Sequence, residues 1–277
     1  MNKVAFITGA SRGIGREAAL AFARAGFYVA ISARTLNEGE RHEHALRDAD
    51  GAPLTGSLNG TAHTLREMGC RVLVVPMDLL DSDSALAACD AVMAEYGRID
   101  VLINNAIYQG SDLNAGFMDL QAQTLERMFQ GYILTPFLLT RAVTEHMVAR
   151  GGGVVINVTS GAGESDPPVA AAKGGWGYAY GAGKAAVSRL SGVLSTELGA
   201  AGVCAYTLNP GVVTTEALKV TIGDKGLIAL RAGSAPPQVP AAVMLWLATA
   251  EQAPAFQRRT IAAQPFALEH NIVADWR

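Results

Sequence analysis

The sequence predicts a single α/β domain in which a mainly parallel, doubly wound sheet of seven strands carries helices on both faces. Three observations lead there. Short apolar runs alternate with longer stretches of helical periodicity along the whole chain. The first run ends in the glycine-rich turn Thr8-Gly9-Ala10-Ser11-Arg12-Gly13-Ile14-Gly15 and opens into an Ala-rich helix. With 277 residues, 50% of them hydrophobic, the chain is ample for one large core, so residues 1–277 read as one domain.

The elements follow in order. Val4-Ala5-Phe6-Ile7 is the first strand, and the helix after its glycine turn runs to about Ala25, where Gly26 punctuates it. Tyr28–Ser32 is the second strand, ending at Ala33-Arg34. Residues 35–69 exceed what a helical crossover requires and read as an insertion: a charged helix at about Asn37–Asp48, a Gly/Pro loop at 51–56, and a short helix over Thr61–Met68. Arg71–Val75 is the third strand, Ser82–Tyr96 a helix with Ser82 as its cap, and Asp100–Ile103 the fourth strand. A long helix spans about Gln121–Arg150, with Pro136 predicted to kink it. Val154–Val158 is the fifth strand, 161–177 a loop, and the next helix runs through Tyr180 to about Leu198. Val203–Leu208 is the sixth strand, Val212–Pro237 a mobile flap, Val239–Thr249 a helix, and Arg259–Ala263 the last strand.

The glycine turn carries the first chemistry. Its residues let the backbone turn sharply, and a helix N-terminus presents unpaired N–H groups, which together suit a pyrophosphate. The spacing is Gly-x3-Gly-x-Gly, not the commoner Gly-x-Gly-x-x-Gly. At the end of the second strand, where an acid would grip a ribose hydroxyl, stands Ala33, followed by Arg34. Arg12 and Arg34 converging on one spot suit a 2′-phosphate, so the expected cofactor is NADP(H). The second chemistry is Tyr180-Gly181-Ala182-Gly183-Lys184, which on a helix sets a phenol and an amine one turn apart. A phenol titrates near pH 10, and a nearby ammonium favours its phenolate, as moving a proton on or off an alcohol oxygen requires.

Composition narrows the alternatives. A net charge of −3 argues against nucleic acid or an anionic membrane as partner. No apolar run reaches the roughly 18 residues of a membrane span. The chain enters its first strand without a secretory leader, and Cys70, Cys89 and Cys204 are odd in number and scattered, so a cytoplasmic protein with reduced thiols is expected. His42 and His44 lie in a charged stretch and read as a solvated face rather than a metal site.

Taken together, these motifs resemble the short-chain dehydrogenase/reductase family over nearly the whole chain, with its Rossmann-type fold. The 8–15 turn matches the family's cofactor turn, with Gly9, Ser11, Arg12, Gly13, Ile14 and Gly15 as cofactor contacts. Asp78-Leu79 stands where the family meets adenine, and Asn104-Asn105-Ala106 matches the start of its Asn-Asn-Ala-Gly run. Ser160, Tyr180 and Lys184 occupy its catalytic positions, and Asn209-Pro210-Gly211 its nicotinamide-side turn. The resemblance implies that Tyr180 donates the proton in reduction and accepts it in oxidation. Lys184 would lower the Tyr180 pKa and hold the nicotinamide ribose, and Ser160 would hydrogen-bond the substrate oxygen. Pro210, Gly211, Val213 and Thr215 would line the nicotinamide end. It also implies a homodimer or homotetramer through the long central helix and the Tyr180 helix.

The chain departs from the family pattern in three places. Ile107 replaces the glycine after Asn-Asn-Ala; Ser160 and Tyr180 stand 20 positions apart, leaving extra loop to fold over the site; and Tyr132 aligns with the asparagine through which the family links its lysine to solvent. A phenol there either holds the same water or fills the space, and the second is expected. An enoyl reductase is set aside because its tyrosine, seven residues before the lysine, would be Gly177. Substrate choice falls to 107–117, 161–176 and 212–237, whose Tyr108, Phe117, Trp176, Leu218, Ile222, Leu227 and Ile228 favour an apolar or cyclic ketone. The alternative of a different class is an NADP-binding protein of this fold that does not turn over and acts as a sensor or assembly partner.

Overall fold

The strands of the sheet can be placed by what each must bury, because alternate residues face opposite layers. The computed structural model describes residues 2–110, 112–220, 233–274 and 276. Its strands are β1 (Val4–Thr8), β2 (Tyr28–Ala33), β3 (Val72–Pro76), β4 (Val101–Asn104), β5 (Gly153–Val158), β6 (Val203–Asn209), β7 (Val212–Val213), β8 (Ser234–Ala235) and β9 (Thr260–Ala262). Seven form one sheet in the order β3-β2-β1-β4-β5-β6-β9, and every pairing in it is parallel. β7 and β8 make a separate small pair. The principal helices are α1 (Gly13–Arg24), α2 (Leu58–Glu67), α3 (Ser82–Tyr96), α4 (Ala122–Met128), α5 (Thr135–Ala149), α6 (Tyr178–Glu197), α7 (Gln238–Thr249) and α8 (Ala263–Glu269).

Ala5, Ile7, Val29, Ile31, Ile103, Ile156 and Leu208 point to one face, where α1, α2, α7 and α8 cover them. Val4, Phe6, Ala30, Leu102, Val155 and Ala205 point to the other, under α3, α5 and α6. A sheet apolar on both faces is what parallel crossovers demand, and it explains the near-continuous hydrophobic runs of the sequence. The strand order reverses between β1 and β4, so a crevice opens beyond the carboxyl ends of those strands.

Several local expectations change. Residues 37–48 form turns rather than a helix: the stretch has no apolar stripe to bury, and the Glu40 carboxylate instead accepts from Leu36 N at 2.8 Å and Asn37 Nδ2 at 2.7 Å. α2 begins earlier than Thr61, with the Ser57 hydroxyl capping it through Gly60 N at 3.0 Å. The long helix continues through Pro136. It passes through a π-helical turn at Phe129–Leu134, and Pro136 lies in the first turn of α5, where a missing N–H is tolerated. Asp81, rather than Ser82, caps α3. The loop at 161–177 contains two short 3₁₀ turns, Gly161–Gly163 and Ala171–Lys173. Of the expected flap, 221–232, with Ile222, Leu227 and Ile228, lies outside the described residues. No helix among the described residues is long and apolar enough to cross a membrane.

Candidate active site

The crevice is built first from β1 and its turn. Gly9 has φ +70° and Gly13 φ +55°, conformations that side chains resist. A Cβ on Gly15 would overlap the Gly9 carbonyl oxygen and stand 2.6 Å from Asn105 Nδ2. Asn105 ties the turn down: its Nδ2 donates to Thr8 O at 3.0 Å and Gly9 O at 3.3 Å, while Asn105 N and Ala106 N donate to Thr8 Oγ1 at 3.1 and 3.0 Å. Ser11 is buried and Ile14 packs against the core on the α1 side. No side chain caps α1, and no acid lies in its first turn. A tight glycine cradle beside an uncapped helix N-terminus fits a dinucleotide pyrophosphate.

The adenosine end is arranged differently from the expectation. Arg12 does not reach outward. Its Nε donates to Thr55 O at 2.7 Å, and its Nη2 to Leu54 O at 3.1 Å and Gly56 O at 2.8 Å, so the insertion is clipped to the glycine turn. Burial lowers the Arg12 pKa first; Glu216 and Glu38 oppose this, and Arg34 adds a smaller depression, so the two guanidinium groups are electrostatic neighbours. Arg34, half-buried, donates from Nη1 to Glu43 O at 3.2 Å. Asp78 accepts from Leu80 N at 2.9 Å through Oδ1, whereas the Leu79 side chain turns into the core beneath the sheet.

The catalytic positions converge at the end of β5. Ser160 follows it with an extended backbone, its Oγ accepting from Ala162 N at 3.3 Å. Tyr180 lies in the first turn of α6. Burial raises its pKa, and its hydrogen bond with Ser160 pulls the other way. Lys184 is buried and donates from Nζ to Val158 O at 2.9 Å. Burial lowers its pKa to about 7. Ser160 is thus the group whose hydrogen bond offsets the effect of burial on the Tyr180 proton. The lysine backbone is fixed as well, its carbonyl accepting from Thr159 Oγ1 at 3.1 Å and Ser188 Oγ at 3.0 Å. The extra loop between Ser160 and Tyr180 folds back on α6, where a Cβ at Gly163 would come within 2.6 Å of the Lys184 carbonyl carbon.

On the nicotinamide side, Gln264 holds the turn after β6, a residue no local sequence signal marked. Its Nε2 donates to Pro210 O at 3.3 Å and Val212 O at 2.8 Å, with Gly211 at φ +71° packed against it. Val213 is buried, and Thr215 reaches the glycine turn, its Cγ2 3.3 Å from where a Gly13 Cβ would be. Glu216 lies alongside, its Oε2 buried with no hydrogen-bond partner among the described residues. Ile107 turns inward and packs with Tyr132, so the expected change at this position is a filled back wall. Tyr108 is also buried: Arg127 Nε donates to its hydroxyl at 3.0 Å, and Arg127 pairs with Asp112 at 2.9 Å. Asn114 Oδ1 accepts from Gly177 N at 3.0 Å, fastening the 107–117 loop to the start of α6. Among the aromatic residues expected to line the substrate site, Trp176 faces Gly181 and Phe117 is exposed.

Comparison with known proteins gives the family. The family model for short chain dehydrogenases matches residues 3–57 and 54–225, and the chain belongs to that family. It is 35% identical over 215 residues to D-threitol dehydrogenase of Mycolicibacterium smegmatis, covering 77% of this chain and 71% of that protein. It is 30% identical over 229 residues to cyclohexanol dehydrogenase of Rhodococcus sp., covering 81% and 79%. Among solved structures, a 7α-hydroxysteroid dehydrogenase complexed with NADH and 7-oxo glycochenodeoxycholic acid superposes with a TM-score of 0.74 at 26% identity, covering 95% and 93% of the two chains. The chain is thus similar to oxidoreductases acting on alcohols and ketones.

Proposed function

We propose that this chain is an NADP(H)-dependent oxidoreductase interconverting a ketone or aldehyde and a secondary alcohol, with Tyr180 moving the proton. The observation that carries the reading is the placement of Ser160 just beyond β5 and of Tyr180 and Lys184 one turn apart on α6, with the buried Lys184 amine held on Val158 O at 2.9 Å. When bound, the nicotinamide gives or takes the hydride. Ser160 then holds the substrate oxygen as charge grows on it, and Tyr180 delivers or receives the proton at that oxygen. Lys184 and the 210–215 turn hold the nicotinamide end, and Asn105 and the 9–15 turn hold the pyrophosphate.

The preference for NADP rests on Ala33 in place of an acid and on Arg34, a half-buried guanidinium whose charge is felt by Arg12. An apolar, cyclic ketone is supported by the aromatic and apolar residues of 107–117 and 161–176, and by the ring-bearing substrates in the names of two relatives. The exposed apolar residues Phe137 and Val193, on α5 and α6, suit a homodimer or homotetramer, and a cytoplasmic setting goes with the three free thiols.

The test follows NADPH oxidation at its absorbance band with a panel of cyclic ketones, for the native chain and Tyr180→Phe. The variant should lose about 10²–10⁴-fold in kcat. Undiminished turnover in Tyr180→Phe would overturn the reading. Binding of NADPH without turnover of any carbonyl would point to the non-catalytic alternative.

A further inference from the structure

Behind the catalytic end lies a feature that the reaction outlined above does not use. Tyr132, in the π-helical turn, is among the largest fully buried side chains, and its hydroxyl has no hydrogen-bond partner. A buried hydroxyl without a partner is unfavourable, so the hydroxyl does not explain the residue and the ring is the part to consider. It stands edge-on to the Tyr180 ring, with centroids 6.5 Å apart and planes at 89°. Lys184 Nζ lies over its face, 5.7 Å from the ring centroid. That is within reach of a cation–π contact. Gly183 permits the approach, because a Cβ there would stand 2.7 Å from Tyr132 Cδ1.

The amine has little else. Its hydrogen bond goes to Val158 O, and among the described residues no acidic side chain acts on its charge. The titratable groups facing it are Tyr180 on its own helix and Tyr132 from the π-helical turn. From β5 come only the Val158 carbonyl and the neutral Thr159 and Ser160. A cavity of about 20 Å³ lies beside Tyr132, bounded by Asn104, Ile107, Asn157, Val158 and Val187. That volume holds about one water at most.

We propose that Tyr132 is a positioning residue for Lys184: its ring closes the back of the pocket against water and presents the π-face against which the amine is held. The proposal rests on the reading of Lys184 given above. The ring excludes water, so the amine titrates near neutrality instead of at the ordinary lysine value. Lys184 is cationic below its pKa, so carbonyl reduction should decline as pH rises through about 7.

The experiment is a kcat–pH profile for ketone reduction by the native chain and by Tyr132→Phe, Tyr132→Ala and Tyr132→Leu, with Tyr180→Phe alongside. Tyr132→Phe keeps the ring and should keep the high-pH limb in place. Tyr132→Ala admits water, and the limb should move up by about one unit or more. Tyr132→Leu keeps the pocket dry without a π-face, so the limb should move down; it also decides the matter if the alanine variant does not fold. A limb that stays put in both Ala and Leu variants, or moves in the Phe variant, overturns the proposal. Full turnover in Tyr180→Phe would instead overturn the functional reading, whatever the Tyr132 variants do.

Discussion

The two ends of the crevice are built on different principles. At the catalytic end every group hangs from the central sheet or from α6: Lys184 is tied to Val158, its carbonyl to Thr159 and Ser188, and Asn157 to Asn104 and Ser191. At the adenosine end the two arginines are engaged by the carbonyls of an insertion without regular structure of its own before α2. The same insertion reaches across to the other end, where the His44 ring meets Tyr108 at 6.3 Å. Regular elements hold one end, whereas the other end, where the proposed function puts the adenosine, is held by backbone carbonyls of a loop.

Ser160→Ala should give the largest effect in sharpening this contrast. Removing the hydroxyl takes away a donor to the substrate oxygen and the interaction that eases the Tyr180 proton, so kcat should fall about 10²–10³-fold. Cofactor affinity, measured by fluorescence titration, should stay as it was, because the cradle belongs to β1 and α1. A parallel loss of affinity would show that the two ends are not separable.

The contrast also explains what was legible in the sequence. The sheet and the order of motifs along strand ends were readable because the crossover rhythm and the glycine turn are local signals. Tyr180 and Lys184 share one helix at a spacing of four, and Ser160 lies two residues beyond the end of β5, so their placement followed from the elements. The use of Arg12 was not, since its partners lie more than 40 positions away and are backbone carbonyls, which every residue has. Gln264 and the Asn114–Gly177 contact were invisible on the same ground. Helical spacing places an amine near a phenol but says nothing of burial, which raises the Tyr180 pKa and lowers that of Lys184.

At the adenosine end the arginines should separate. Arg34→Ala removes the half-buried guanidinium, and the Kd for NADP should rise about 10–100-fold while that for NAD hardly moves. Arg12→Ala should show first as stability, costing about 1–3 kcal/mol in chemical denaturation, because three carbonyls lose a charged donor. Equal affinity of the native chain for NAD and NADP would break this half of the comparison.

The smallest expected effect lies between the two ends. Glu216 has a buried carboxylate oxygen with no hydrogen-bond partner among the described residues, 3.7 Å from where a Gly13 Cβ would be, and its charge is felt by Arg12. A negative charge beside the N-terminus of α1 opposes a pyrophosphate arriving at the same place. Glu216→Gln keeps the volume and removes the charge, so NADP should bind about 3–10-fold more tightly, with the gain shrinking as salt is raised. kcat should change little, since Glu216 lies on the flap beside the glycine turn and not at Ser160 or Tyr180. Weaker binding in the variant would mean that the carboxylate accepts a hydrogen bond from the bound cofactor, and the middle of the crevice would then belong with its rigid end.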